Sequence, residues 1–187
     1  MVVGNDVIDL ELARAERKSE NPRYLSKAFS EEEIEQVLNA EDRELRLWLF
    51  WAMKETAYKA HQRIFSLPRK INPKAFHCTL ESSEMFGKVS IDESVYDIEL
   101  DITSDYVHAT TSSEKISKNV FPNPENSATN YIESLSNKFQ FRPEDFIIKK
   151  DILGIPSLVI KDHSVEIPFS LSHHGKFTAF AIPLINS

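Results

Sequence analysis

The chain has 187 residues, 41% of them hydrophobic and 27% charged, the balance of a soluble globular protein built as one domain or as two small halves sharing a core. A net charge of −7 argues against a general nucleic-acid binder, and one cysteine, Cys78, excludes an internal disulfide and a cysteine-rich zinc cage. The longest unbroken apolar run, Leu47 to Met53, is too short to cross a bilayer, and the first residues lack the basic start and apolar stretch of a signal peptide, so the expected compartment is the reducing cytoplasm.

The charge is unevenly placed. Residues 1–80 hold 13 basic and 13 acidic residues, whereas residues 81–187 hold 9 and 16. Within the neutral part, Arg14, Arg17, Lys18, Arg23 and Lys27 cluster early, and Arg63, Arg69, Lys70 and Lys74 cluster late. Either cluster could dock an acidic partner, although charge alone more often marks a solvated mixed-charge surface.

In chain order, Val2-Val3-Gly4 reads as a short strand ending at Asn5-Asp6. An amphipathic stretch runs from Glu11 to Glu20 and is closed by Asn21-Pro22. Ser30 with Glu33 has the spacing of a capping box and opens a helix with Ile34, Val37 and Leu38 on one face. The strongest helix runs from about Glu41 to Phe65. It is apolar on several faces and free of Gly and Pro, as a buried central helix should be. From Ala75 to Ser112 the period changes to two, with strands expected at Phe76–Leu80, Lys88–Ile91, Tyr96–Leu100 and Tyr106–Thr110. Residues 118–127 read as a linker. A helix is then expected over Asn130–Phe139, followed by strands at Phe146–Lys149, Ser157–Ile160, Ile167–Leu171 and Phe177–Ile182. The pattern divides the chain into residues 1–115 and 116–187, each an α+β half.

Three segments carry chemistry. Glu55 and Lys59 lie four apart, on one face of the central helix. Such a pair is often an exposed helix-stabilising contact. In a helix this apolar, however, buried charge needs partners, and a divalent cation for Glu55 with a phosphate for Lys59 would supply them. Asp6, at the expected strand end after Gly4, is either a turn-former or, close to Glu55, the second half of a carboxylate pair for Mg²⁺. In Pro168–Lys176, Ser172, His173 and Lys176 can all donate to an anion, or simply form a polar loop tip. His77 and His108 sit in strand patterns and read as structural. No nucleophilic triad is present.

Together Gly4-Asn5-Asp6, Trp51-Ala-Met-Lys54-Glu55-Thr-Ala-Tyr-Lys59-Ala60 and Ser170-Leu171-Ser172-His173 resemble the motifs of the 4′-phosphopantetheinyl transferase superfamily. The family shows a Gly-x-Asp strand end, a Trp-x-x-Lys-Glu-x-x-x-Lys helix and a Ser-x-Ser-His turn. Phe29-Ser30-Glu31-Glu32-Glu33 also resembles a helix start common in the short, holo-acyl-carrier-protein-synthase branch. The motif order matches that branch. In the long branch the Gly-Lys-Pro and Ser-His motifs come first. The chain is thus either a permuted pseudo-dimer or a short-branch enzyme with an insertion. Where the long branch has a second acid, two residues after the aspartate, this chain has Ile8 and then Asp9. Ile155 stands in place of the lysine of Gly-Lys-Pro.

The resemblance implies an α+β pseudo-dimer of two halves, each a small antiparallel sheet packed on a long helix. It implies Mg²⁺-dependent transfer of phosphopantetheine from coenzyme A to a serine of an apo acyl carrier protein or peptidyl carrier domain, an activity that serves fatty acid biosynthesis. Asp6 and Glu55 would hold the metal. Glu55 and Lys59 would be catalytic, with Glu55 drawing the proton from the serine. Ser172, His173, Lys54, Lys59 and Lys176 would bind the coenzyme, and Arg14, Arg17 and Lys18 would dock the acidic carrier. One composite site per chain, and hence a monomer, is expected. A Mg²⁺-dependent nucleotide pyrophosphate hydrolase, or a non-catalytic module binding coenzyme A or a carrier, would use the same residues.

Overall fold

The computed structural model describes residues 2–112, 115–122, 131–137, 140–163 and 166–184. The chain opens on β1 (Asn5–Asp9) and α1 (Leu10–Glu16), then runs through α2 (Pro22–Ala28), α3 (Glu31–Asn39) and the 23-residue α4 (Arg43–Phe65). Four strands follow: β2 (His77–Leu80), β3 (Phe86–Ile91), β4 (Ser94–Ile102) and β5 (Tyr106–Thr111). They join β1 in one antiparallel sheet of order β1-β5-β4-β3-β2.

Helix α4 lies against this sheet. Its Leu47, Leu49, Phe50, Ala52, Met53, Ala57 and Ala60 are fully buried, so the apolar residues seen on several faces are used on several faces. Asp42 caps its start by accepting from Leu45 N–H, and Ser66, in the left-handed region at φ 50°, ends it. Gly4 lets the chain leading into β1 pass over α4. A Cβ there would stand 2.1 Å from the Thr56 carbonyl oxygen. The motif glycine is thus a packing requirement.

The structure corrects three local expectations. The first strand is Asn5–Asp9 and not Val2–Gly4, so Asp6 lies within a strand paired to β5. Asn21-Pro22 starts α2 rather than closing a segment. The Asn21 side chain accepts from Tyr24 N–H, and proline in a first helical turn loses no intrahelical bond. Residues 118–122, read as linker, belong to β6 (Ile116–Pro122), which pairs along its whole length with the last strand. Residues 123–127 of that expectation lie outside the described residues.

The later part of the chain continues with α5 (residues 131–137), β7 (Phe146–Lys150), β8 (Pro156–Ile160), β9 (Glu166–Pro168), β10 (Ser170–His174) and β11 (Phe177–Pro183). It differs from the expected single sheet: its strands form two three-stranded antiparallel sheets, β10-β11-β6 and β7-β8-β9. Residues 131–137 of the expected helix are helical, and residues 130, 138 and 139 of that expectation lie outside the described residues. Tyr131 and Leu135 of α5 fill a second core with Phe146, Leu158, Phe169 and Phe180, and the Tyr131 and Phe180 rings stack at 4.4 Å. The two cores meet where β10 and β11 lie against β1. There Val7, Phe177 and Ala179 make a small apolar seam.

Candidate active site

β1 presents Asp6 toward α4. Lys59 Nζ reaches Asp6 Oδ1 at 2.9 Å and the Asn5 carbonyl oxygen at 2.9 Å. Glu55 lies one turn earlier on the same face of α4. Burial raises the Asp6 carboxyl above its usual range, against the pull of Lys59. Burial also raises Glu55, and the negative charge of Asp6 raises it further, while Lys59 and Arg69 oppose the shift. Asp6 is therefore close enough to Glu55 to disfavour its charge.

That is a donor set which suits a hard dication. Asp6 and Glu55 would hold Mg²⁺, leaving further positions to water and substrate oxygens. Asp9 is engaged elsewhere. Asp9 Oδ1 caps α1 through Glu11 and Leu12 N–H, and its Oδ2 accepts from Lys176 N–H at 3.0 Å. Ile8, at the place of the long branch's second acid, is buried in the core. Among the described residues, no group of three or more His, Cys, Asp or Glu side chains is placed to bind a metal.

Beside this pair a cleft of about 190 Å³ opens between α4 and the later strands. α4 and the loop after it supply Glu55, Lys59, Arg63 and Arg69, and the facing wall supplies Lys150, Ile155, Leu171 and His173. Four cationic side chains face one acid, in a protein whose net charge is −7. Arg63 is held in place by donating from Nη2 to the Pro156 and Phe169 carbonyl oxygens, each at 2.8 Å. The arrangement favours a ligand with several negative charges, such as a phosphorylated nucleotide.

The structure sorts the residues expected from sequence. Asp6, Glu55 and Lys59 come together, and His173 lines the same cleft. Ser172 does not line it: this side chain is buried against β1, with Oγ accepting from Asn5 Nδ2 at 3.0 Å. In β10, Ser170, Ser172 and His174 turn toward β1, while His173 alternates to the other side. Lys176 also lies elsewhere, in the β10–β11 turn, where its Nζ pairs with Glu11 at 2.7 Å. Lys54 is the clearest correction. It is fully buried on a different face of α4, and its Nζ donates to Glu33 Oε2 at 2.7 Å, Phe76 O at 2.6 Å and Pro73 O at 2.9 Å. All three donors are spent inside the fold, so Lys54 is structural and does not reach a coenzyme.

The glycine-led strand and the motif helix both fall within the range of one family model. The model of the 4′-phosphopantetheinyl transferase superfamily matches residues 2–111, which span β1 through β5. The chain belongs to this superfamily. Its members are transferases that act on carrier proteins with coenzyme A and generally use Mg²⁺. A search of curated proteins found no match. The matched residues include Asp6, Glu55 and Lys59 of the transferase, whereas His173, Lys150 and Ile155 lie outside the match.

Sequence reasoning had placed Arg63 and Arg69 only in a basic cluster, and it missed Lys150. Nothing in the local pattern signals Lys150. It reaches the cleft because the turn after β7 folds back on the end of α4, where Gln62 Nε2 donates to Leu67 O at 3.0 Å and to Leu153 O at 3.5 Å. Of the cations expected to dock a carrier, Arg14 in α1 and Arg17 just after it are exposed and Lys18 is half-buried, and each has an acidic neighbour: Arg14 with Asp42 at 3.4 Å, Arg17 with Glu20 at 2.5 Å and Lys18 with Glu16 at 3.8 Å. Lys18 Nζ also stands 5.3 Å from the Tyr24 ring centroid. The Tyr24 ring packs 6.1 Å from Trp51, one helical turn before Glu55.

Proposed function

We propose that this transferase moves the 4′-phosphopantetheine arm of coenzyme A to a serine of an apo acyl or peptidyl carrier protein, as a Mg²⁺-dependent enzyme of the holo-acyl-carrier-protein-synthase type. The observation that carries the proposal is the Asp6–Glu55 carboxylate pair, with Lys59 beside it, at the edge of a cationic cleft.

The reaction makes a bond from the serine Oγ to the phosphorus that bears the pantetheine. It breaks the bond from that phosphorus to the bridging oxygen, so adenosine 3′,5′-bisphosphate leaves. Charge grows on the transferred group and on the leaving oxygen, and fixed cations in a partly dry cleft stabilise both. Lys59, already oriented by Asp6 and the Asn5 carbonyl, neutralises pyrophosphate charge. Arg63, Arg69, Lys150 and His173 hold the remaining phosphates, with the cations of the cleft wall compensating for Ile155 at the motif lysine position. Glu55 takes the serine proton. When bound to Asp6 and Glu55, Mg²⁺ would supply further charge neutralisation at the pyrophosphate.

The carrier would approach from the α1 side, where Lys18, Tyr24 and Trp51 lead to Glu55. No described helix is long and apolar enough to cross a membrane. A cytoplasmic monomer with one site per chain, made by residues 1–115 and 116–187 together, completes the proposal. The test is incubation with coenzyme A, Mg²⁺ and a panel of apo carriers, read by intact mass. One carrier should gain a phosphopantetheine. Coenzyme consumed while every carrier keeps its mass would instead indicate hydrolysis.

A further inference from the structure

β1 is the edge of the five-stranded sheet, and β10 is the edge of a three-stranded one. They lie side by side without a main-chain ladder between them, so β10 has no backbone register to fix its position on β1. Side chains do this instead. Asn5 N–H donates to Ser170 Oγ at 3.0 Å, and Asn5 Nδ2 donates to Ser172 Oγ at 3.0 Å. At the other end Asp9 N–H donates to His174 Nδ1 at 2.9 Å. The apolar contacts of Val7 with Phe177 and Ala179 hold the strands together but are non-directional and allow sliding. The hydrogen bonds set the position.

Asn5 is the hub of this seam. It is fully buried and occupies the variable place of the Gly-x-Asp motif. Its Nδ2 also lies 3.2 Å from His108 Nε2, and its carbonyl oxygen orients Lys59. Burial, with Lys118 and Lys59 nearby, holds His108 neutral by pushing its pKa down to about 3, so a ring nitrogen is free to accept. One residue thus touches the cation on α4 through its main chain and, through its side chain, the strand that carries His173.

We infer that Asn5 is a positioning residue for the coenzyme: by fixing β10 against β1, it sets where His173 stands across the cleft from Lys59. The inference rests on the transferase reading for the identity of the ligand. Coenzyme A binding to wild type, Asn5→Ala, Asn5→Asp and Ser172→Ala is to be measured by calorimetry, with the steady-state constants alongside. Asn5→Ala and Ser172→Ala should each weaken coenzyme binding about tenfold, the scale of one lost buried hydrogen bond. KM should rise more than kcat falls. Asn5→Asp keeps the shape but lacks the amide donors, and it should bind as weakly as Asn5→Ala. In a His173→Ala background, Asn5→Ala should add little, because the two act in series. A wild type that does not bind coenzyme A would overturn the transferase reading, and this inference with it. A wild type that binds while the seam variants bind equally well, or an Asn5→Ala loss that is the same with and without His173, would overturn the positioning role alone. If Asn5→Ala does not fold, Ser172→Ala, which leaves β1 untouched, decides.

Discussion

Lys54 and Lys59 stand five residues apart on α4, and their surroundings give them different tasks. Lys54 closes a fully buried ion pair with Glu33, whose Oε1 also accepts from Cys78 N–H at 2.8 Å and whose Oε2 accepts from Ser30 N–H. Removing one member leaves the other charge buried and alone, at a cost of about 3–5 kcal/mol. Lys54→Met should therefore lower the thermal midpoint strongly and leave coenzyme KM unchanged in whatever folds. A raised KM at normal stability would return Lys54 to the cleft.

Glu55 is the opposite case. Its carboxyl is raised in the folded protein, so folding takes up a proton there. That contribution is complete below the unfolded pKa and is lost as pH rises through the higher folded value. In metal-free protein at pH 8, Glu55→Gln should be at least as stable as wild type, and the advantage should shrink as pH falls through the carboxylate range. Adding Mg²⁺ should stabilise wild type and not the variant. Thermal melts at several pH values with and without Mg²⁺ check this. Equal Mg²⁺ effects on both proteins would contradict the metal assignment. The motif spacing made Glu55 and Lys59 legible in the sequence. The structural use of Lys54 was not, because Glu33 is 21 residues away in sequence and meets it only after α3 packs on α4.

At the scale of elements, local signals were reliable where they were strong. The capping box at Ser30 and Glu33 forms as its spacing implies, and α4 runs from Arg43 to Phe65 as its composition demands. Proline was ambiguous: Pro22 begins a helix, and Pro122 ends a strand that resembled a linker. The split of Ile167–Leu171 into β9 and β10 was invisible, because Phe169 between them is apolar and buried, as a residue within a strand would be. Helix α1 and the turn after it carry the docking proposal. Arg14 and Arg17 keep acidic partners at exposed positions, where such pairs contribute little and water and salt compete with them. They remain available to a larger acidic surface. Reversing charge at Arg14 and Arg17 together should weaken carrier binding and spare coenzyme binding. Salt should weaken the wild type similarly, since exposed charges are screened within about 10 Å at 0.1 M. Carrier affinity that responds to neither change would move docking to another face.

On the scale of the whole molecule, the α+β class and the two-part pattern could be read from the change of period along the chain. The division of the later strands into two sheets could not, since strand pairing is non-local and the runs look alike. The cleft was equally hidden. It draws Lys59 and Glu55 from one part, and Lys150 and His173 from the other, more than 90 residues away in sequence. Its cationic lining sits within an acidic protein, an arrangement that draws a polyanionic substrate to one place on the surface. The central claim is that one chain completes this site. The most direct measurement is carrier loading at limiting coenzyme A and ordinary Mg²⁺, read by intact mass, for wild type, Glu55→Ala, His173→Ala and an equal mixture of the two variants. Wild type should load the carrier. Glu55→Ala should not load it, His173→Ala should load it slowly, and the mixture should do no better than its His173→Ala component. Loading by Glu55→Ala at the wild-type rate, or a mixture that recovers substantial activity, would contradict the account.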